Sequence, residues 1–279
     1  MIVDGKRIAA ELREKLTRAV KELSLPPTLA IVVVGEDPVI ESFVRLKKKI
    51  GETLGVQVRE HRFVASVPET TLLAAMKTIA GDKSVDGVIV QLPLPPALNT
   101  QVILDAVPSE KDVDMLSTES VAAFRRGDAS ILPPIAGAIQ EILERSGVPV
   151  EGKESLVLGR GRLVGVPAEL FLRHNNAHVT VVGREVERLS DLTREADIIV
   201  CGAGQPGLLK PEMLKQGATV IDAGTSEAGG KIVGDADPRC AEVASVFTPV
   251  PGGVGPIAVA LIFKNLLVLA TVRTKQLSR

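Results

Sequence analysis
The chain has 279 residues, 45% hydrophobic and 24% charged, which suits a globular protein large enough for two domains. Lys and Arg number 33 against 34 Asp and Glu, so the basic excess that nucleic-acid and membrane-surface binders need is missing. Six Phe, with no Tyr and no Trp, leave almost nothing on which single-stranded nucleic acid could stack.

The opening stretch "MIVDGKRIAAELREKL" lacks the apolar core of a signal peptide. Short apolar runs then alternate with helical patterns, which predicts an α/β architecture with parallel strands. In the first half the buried-strand candidates are 28–35, 56–64 and 86–95. In the second half they are 154–159, 178–183, 196–204 and 218–224. Val and Ile dominate these runs, as in strands covered by helices on both faces. "ASILPPIAG" (129–137) separates the halves, and the helix after it, 138–147, ends at Gly147. A second crossing comes at "FTPVPGGVGPIAVALIF", after which no strand remains for the second sheet. The last helix is therefore expected to return to the first domain. Its apolar run, broken by Lys264 and Asn265, reads as too short on either side to span a bilayer and so as a packed helix. Cys201 and Cys240 lie far apart, and His61, His174 and His178 show no metal spacing, so no metal is expected and a reducing cytoplasm is the natural setting.

Two places carry chemistry. In "SLVLGRGRLVGVPAELFLRHNNAHVTVVGR", Gly159, Gly161 and Gly165 follow a strand directly and open a helix. That is the context in which a glycine-rich turn cradles a dinucleotide pyrophosphate, although GxGxxxG is one residue longer than the usual fingerprint. Arg184 stands at the tip of the next strand, where a cation favours the 2′-phosphate of NADP and a carboxylate would favour NAD. Arg160 and Arg162 add positive charge, Glu185 opposes it, and a plain surface charge also fits Arg184.

The other place is "SFVRLKKKIGETLGV". At 100° per residue, Ile40, Phe43, Val44, Ile50 and Leu54 form one apolar stripe with Lys47 near its centre. Lys48 lies off its edge and Lys49 opposite. An inward lysine loses hydration, its pKa falls, and it becomes a candidate acid or base, unless its head snorkels out. Gln91 ends the apolar run "GVIVQL" at the carboxyl end of a strand, where a lone amide either meets a ligand or caps buried backbone. Asp112 and Asp114, in "PSEKDVDML", read on chemistry alone as solvated charges.

Taken together, "VGEDPVIESFVRLKKK", "DGVIVQLPLP", "EKDVD", "GRGRLVGVP", "GATVIDAG" and "TPVPGGVGP" resemble methylenetetrahydrofolate dehydrogenase/methenyltetrahydrofolate cyclohydrolase, the bifunctional FolD family, in that family's order and over nearly the whole chain. The resemblance implies a folate-binding catalytic domain (1–137 with 257–279), a Rossmann-type NAD(P) domain (138–256), a cleft between them and a homodimer. It implies oxidation of 5,10-methylenetetrahydrofolate with NADP, NAD being the alternative, then hydrolysis of the methenyl product to 10-formyltetrahydrofolate. It matches Lys47 to the family's catalytic lysine, Gln91 to its supporting glutamine and Asp114 to its pterin-binding aspartate, leaving Asp112 structural. Phe43, Pro251, Gly252 and Gly253 fall among the substrate positions. Gly159, Arg160, Gly161, Arg162, Gly165, Arg184 and Thr225 fall among the cofactor positions.

The chain departs from the family pattern at several points. Phe43 replaces a tyrosine, Met115 a glycine and Gly161 a serine. "LPPI" stands for "PCTP", and "VGR" for "CHS". The missing hydroxyl at Phe43 bears most on the cyclohydrolase step. The alternatives are accordingly a dehydrogenase with weak or absent cyclohydrolase, or a catalytically weak folate- or nucleotide-binding relative. A more distant one is an amino-acid or shikimate-type dehydrogenase, against which "TPVPGGVGP" counts.

Overall fold
A computed structural model of the chain describes residues 1–183, 185–228 and 230–277, with 273–277 described by their backbone alone. The chain divides into two units, Met1–Ala10 with Pro134–Ala258, and Glu11–Pro133 with Val259–Arg279. The first ten residues cluster with the later unit, because the N-terminus runs beside a strand of its sheet. Val3 N donates to Phe247 O at 2.8 Å and Phe247 N to Met1 O at 2.9 Å.

In the unit 11–133 with 259–279, the chain passes through α1 (Gly5–Lys21), β1 (Thr28–Val34), α2 (Pro38–Leu54) and β2 (Gln57–Phe63). It continues through α3 (Glu69–Gly81), β3 (Gly87–Val90), α4 (Thr100–Leu104) and α5 (Thr118–Arg126). The sheet is parallel with order β2-β1-β3. β1, "TLAIVVV", is buried at every position, as a central strand covered on both faces should be. β2 differs from the buried strand expected at 56–64. It is an edge strand carrying Arg59, Glu60, His61 and Arg62 and is mostly half-exposed, and a charged edge resists pairing with other chains. β3 is shorter than 86–95, since only Gly87–Val90 is strand. The chain leaves the ladder at Gln91, and the Leu92–Pro93 peptide bond is cis.

In the other unit come α6 (Pro134–Arg145), β4 (Glu154–Leu158), α7 (Gly165–His174), β5 (His178–Val182), α8 (Leu189–Glu195) and β6 (Ile198–Cys201). They are followed by β7 (Thr219–Asp222), β8 (Ser226–Ala228), β9 (Lys231–Val233) and β10 (Val246–Phe247). Last comes α9 (Val254–Leu277), which from Val259 onward belongs to the unit 11–133 with 259–279, as the expected return of the last helix requires. α6 begins four residues before the expected 138, because proline is tolerated in a first helical turn. β6 is confined to the centre of 196–204. The sheet is parallel in the order β10-β7-β6-β4-β5, so strand succession reverses between β4 and β6. Ligands of such sheets gather at that switch point, beyond the carboxyl ends of the strands. The β8–β9 hairpin was not apparent from sequence, its strands being three residues each.

α9 is the packed helix expected of the last apolar run, but without the expected break. It continues unbroken through Lys264 and Asn265, and Val254–Val272 is long and apolar enough to cross a membrane by length and composition alone. Packing is what marks it as a core helix: Ile257, Ala260, Phe263 and Leu266 are at most 2% exposed. The buried Asn265 amide donates to Val113 O at 2.9 Å and Leu132 O at 2.8 Å. Replacing it by leucine removes the side-chain donor from two carbonyls beside the Asp114 segment. Asn265→Leu is expected to lower unfolding stability by about 2–4 kcal/mol, read as a lower urea midpoint. A loss below about 1 kcal/mol would show that this anchor is dispensable.

Candidate functional site
α2 is built to hold a lysine inside. Asp37 caps its N-terminus, its Oδ1 accepting from Val39 N at 2.8 Å and Ile40 N at 3.0 Å, and Pro38 occupies the first turn. Gly55, at φ 81°, ends the helix in the left-handed conformation. The buried face is Ile40, Val44, Lys47, Ile50, Gly51 and Leu54. Gly51 permits close approach to β2, because a Cβ there would lie 2.5 Å from Val58 Cγ2. The three lysines divide as helix geometry requires. Lys47 is 7% exposed, and Lys49 is solvated. Lys48 is half-buried rather than free, its Nζ 2.9 Å from Glu60 Oε2.

Lys47 does not snorkel. Its Nζ donates to Gln91 Oε1 at 2.9 Å and lies 5.9 Å from the centre of the Phe43 ring. Gln91 is held in turn, its backbone N donating to Val32 O at 2.9 Å and its Nε2 to Leu92 O at 3.1 Å. Both ends of the amide are thus committed, with the oxygen turned toward the lysine.

Asp114 arrives on a segment pinned at three points. Lys111 is buried, and its Nζ donates to Ala80 O at 2.7 Å and Asp82 O at 2.8 Å, capping the end of α3. Asp112 Oδ2 accepts from Ser117 N at 2.8 Å, and Asn265 holds the Val113 carbonyl. Neither aspartate is the solvated charge that local chemistry suggested: Asp112 is 4% exposed and Asp114 half-buried. Met115 follows at φ 59°, a conformation that costs most side chains roughly 1–2 kcal/mol and that glycine adopts freely. Its side chain is nonetheless 4% exposed, so burial offsets the backbone cost.

These groups are electrostatically linked. Burial lowers the Lys47 pKa, and the Asp114 charge partly restores it. Burial pushes Asp114 up to about 6, against the pull of Lys47 and with the repulsion of Asp112. A buried amine whose pKa is lowered, fixed by one hydrogen bond and facing an aromatic ring, is placed to accept and return a proton.

In the other unit the glycine turn lies at the switch point of the sheet. Gly159 has φ 113°, and a Cβ there would lie 2.3 Å from Gly202 O, at the end of β6. One on Gly165 would lie 2.2 Å from Gly159 O, whereas at Gly161 nothing lies within 4 Å. The tight contacts fix the turn, and the open one leaves its backbone accessible, as pyrophosphate binding requires. Arg160, Arg162 and Thr225 are exposed. Arg184 lies outside the described residues. Of the segment Pro251–Gly253, Gly252 has φ 109°, and a Cβ on Gly253 would lie 2.7 Å from Pro249 O. Gly5 packs on the same segment, where a Cβ would meet Gly253 O at 1.8 Å.

Sequence reasoning missed two buried carboxylates here. Asp222, the last residue of β7, and Asp235, which follows β9, are 1% and 0% exposed, and each accepts three backbone N–H bonds. Gly224 and Gly234 carried the signal, since a Cβ on either would strike one of these carboxyl groups.

The family model for the tetrahydrofolate dehydrogenase/cyclohydrolase catalytic domain matches residues 3–114, and that for its NAD(P)-binding domain matches residues 133–274. The chain is 36% identical over 272 residues to the bifunctional protein FolD of Thermus thermophilus, a match spanning 98% of this chain and 96% of the relative. Among solved structures, FolD from Campylobacter jejuni aligns with a TM-score of 0.94 at 33% identity, over 98% of this chain and 99% of that one. FolD of Trypanosoma brucei, complexed with NADP cofactor and inhibitor, aligns at 0.92 and 32% identity, over 100% and 99%. With both halves matched and curated relatives of equal length, the chain belongs to the tetrahydrofolate dehydrogenase/cyclohydrolase family.

Proposed function
We propose that the chain oxidises 5,10-methylenetetrahydrofolate to 5,10-methenyltetrahydrofolate with NADP and hydrolyses the product to 10-formyltetrahydrofolate. The observation that carries this reading is the buried Lys47 Nζ, 2.9 Å from Gln91 Oε1 and coupled to the Asp114 charge, in a chain of this family. NADP, when bound, accepts the hydride. The turn at Gly159, Gly161 and Gly165 would take its pyrophosphate, with Arg160 and Arg162 exposed within it, Thr225 exposed after β7 and Arg184 proposed at the 2′ end.

In the hydrolytic step, water adds to the methenyl carbon and gives up a proton to Lys47 Nζ. The remaining hydroxyl proton moves to N5 as the ring C–N bond breaks, leaving the formyl group on N10, and Lys47 releases its proton to solvent. Gln91 fixes the direction of the amine, so its lone pair need not be reoriented during the reaction. Asp114, ionised above about pH 6, accepts from pterin N–H groups. Phe43 offers its ring to the folate, and Pro251, Gly252 and Gly253 offer a backbone without side-chain bulk. We also infer a homodimer acting in the cytoplasm. The family resemblance supports the dimer, and two buried free thiols, Cys201 and Cys240, both pushed up by burial, fit a reducing compartment.

Phe43 favours a second reading, a dehydrogenase with little cyclohydrolase, because no hydroxyl accompanies the ring near Lys47. Purified protein given methylenetetrahydrofolate and NADP separates the two at the methenyl absorbance. Transient methenyl that hydrolyses faster than in buffer supports the bifunctional reading. Methenyl that persists supports the second, and no methenyl with either NADP or NAD excludes both.

Two further outcomes are expected. Lys47→Met should lower methenyl hydrolysis at least 10²-fold, the scale of a lost acid–base group, and unchanged turnover would remove Lys47 from that role. The KM for the folate should rise as pH falls through about 6, because protonated Asp114 loses its charge and acceptor capacity. A KM flat from pH 7.5 to 5 would contradict the pterin assignment.

A further inference from the structure
The cofactor turn depends on groups that are not part of it. Asp235 is completely buried, and its two oxygens take the backbone N–H groups of three successive residues. Oδ2 accepts from Ala203 N at 2.6 Å and Gly204 N at 3.1 Å, and Oδ1 accepts from Gln205 N at 2.7 Å. This loop leaves the end of β6 at Gly202, whose carbonyl is the atom pressed against Gly159. Behind Asp235 stands Asp222. Its Oδ1 accepts from Asp235 N at 3.2 Å and Gly224 N at 2.9 Å, and its Oδ2 from Ala236 N at 2.8 Å. Asp222 N donates to Thr248 Oγ1 at 2.7 Å, and Thr248 Cβ would lie 2.8 Å from a Cβ on Gly253. The glycine turn, the strand end before Thr225 and the Pro-Gly segment are therefore tied to one pair of carboxylates.

A buried carboxylate is costly to desolvate and is usually tolerated only when its acceptor sites are filled. Here the N–H donors come from segments at the carboxyl end of the sheet. We propose that Asp235, with Asp222 behind it, is a positioning residue for the nucleotide site, presetting the Gly202–Gln205 loop against the glycine turn before the dinucleotide arrives. The proposal rests on the reading that this turn binds NADP. It assigns no contact between either carboxylate and the ligand.

The test is Asp235→Asn in the full chain. Asparagine keeps the shape but offers one acceptor oxygen, so an amide N–H₂ must face at least one loop N–H. NADP affinity measured by calorimetry should weaken about tenfold or more, given that a 1 Å misplacement of positioned groups can cost on the order of 10²-fold. Hydrolysis of methenyltetrahydrofolate supplied directly, without nucleotide, should stay within about twofold of wild type, since Lys47, Gln91 and Asp114 lie in the other unit. Asp222→Asn should act in the same direction more weakly. An unchanged NADP affinity in Asp235→Asn overturns the proposal, as does an equal loss of both activities, which marks a general structural role. A wild-type chain that binds no NADP overturns the nucleotide reading together with it.

If Asp235→Asn does not fold, hydrogen exchange of the wild type decides. The amides of Ala203, Gly204 and Gln205 should be protected before NADP is added, and exchange at the open-loop rate until NADP is added would overturn presetting.

Discussion
The 2.9 Å hydrogen bond from Lys47 Nζ to Gln91 Oε1 is the constraint around which the folate-side unit is organised. A lysine amine in an apolar helix face is a poor choice for stability, because carrying its charge there means separating it from water without a full complement of acceptors. The surroundings accommodate this cost in particular ways. Gln91 is locked at both ends, Asp114 supplies a partial counter-charge, and α2, capped at both termini, keeps Lys47 on its buried face. The segment bearing Asp114 is tied by Lys111, Asp112 and Asn265, each of them buried and each bonded to backbone. Removing any of these ties moves the counter-charge, and with it the proton affinity of the lysine.

The other unit solves a different problem, close approach of backbone to backbone. Its functional loops lie where strand succession reverses, and their spacing is set by glycines that admit no Cβ, Gly159 against Gly202 and Gly165 against Gly159. Contact alone would leave such loops free to breathe. The two buried aspartates convert contact into defined distance by taking six loop and strand-end N–H groups between them. The two units thus use buried charge in opposite ways. At Lys47 the charge is poised to change, and at Asp235 it is saturated with donors.

Much of this was legible in the sequence because it is periodic or local. Helical spacing alone separated Lys47 from Lys48 and Lys49, and the strand–turn–helix setting singled out Gly159, Gly161 and Gly165. What was not legible depends on chain segments that meet only after folding. Asp112 and Asp114 look like loop charges until Ser117 and the Lys47 ammonium are brought to them. Asp222 and Asp235 stand 13 residues apart with a hairpin between them, and nothing local distinguishes either from a surface acid. The last helix was legible as a packed one, though its continuity through Lys264 and Asn265 was not. Hydropathy measures composition, and only packing separates a core helix from one able to cross a bilayer. Met115 departs visibly from the family pattern, but the left-handed backbone that makes glycine suit that position arises only from the fold of the segment.

The most direct test is an NMR titration of the free protein, following the Lys47 Nζ and side-chain carbons together with the Asp114 carboxyl. If the buried pair is as described, Lys47 titrates below the ordinary lysine value of about 10.4 and Asp114 near 6. If Lys47 titrates at the ordinary lysine value and Asp114 in the usual carboxylate range, the lysine is solvated, and the account of this site is wrong.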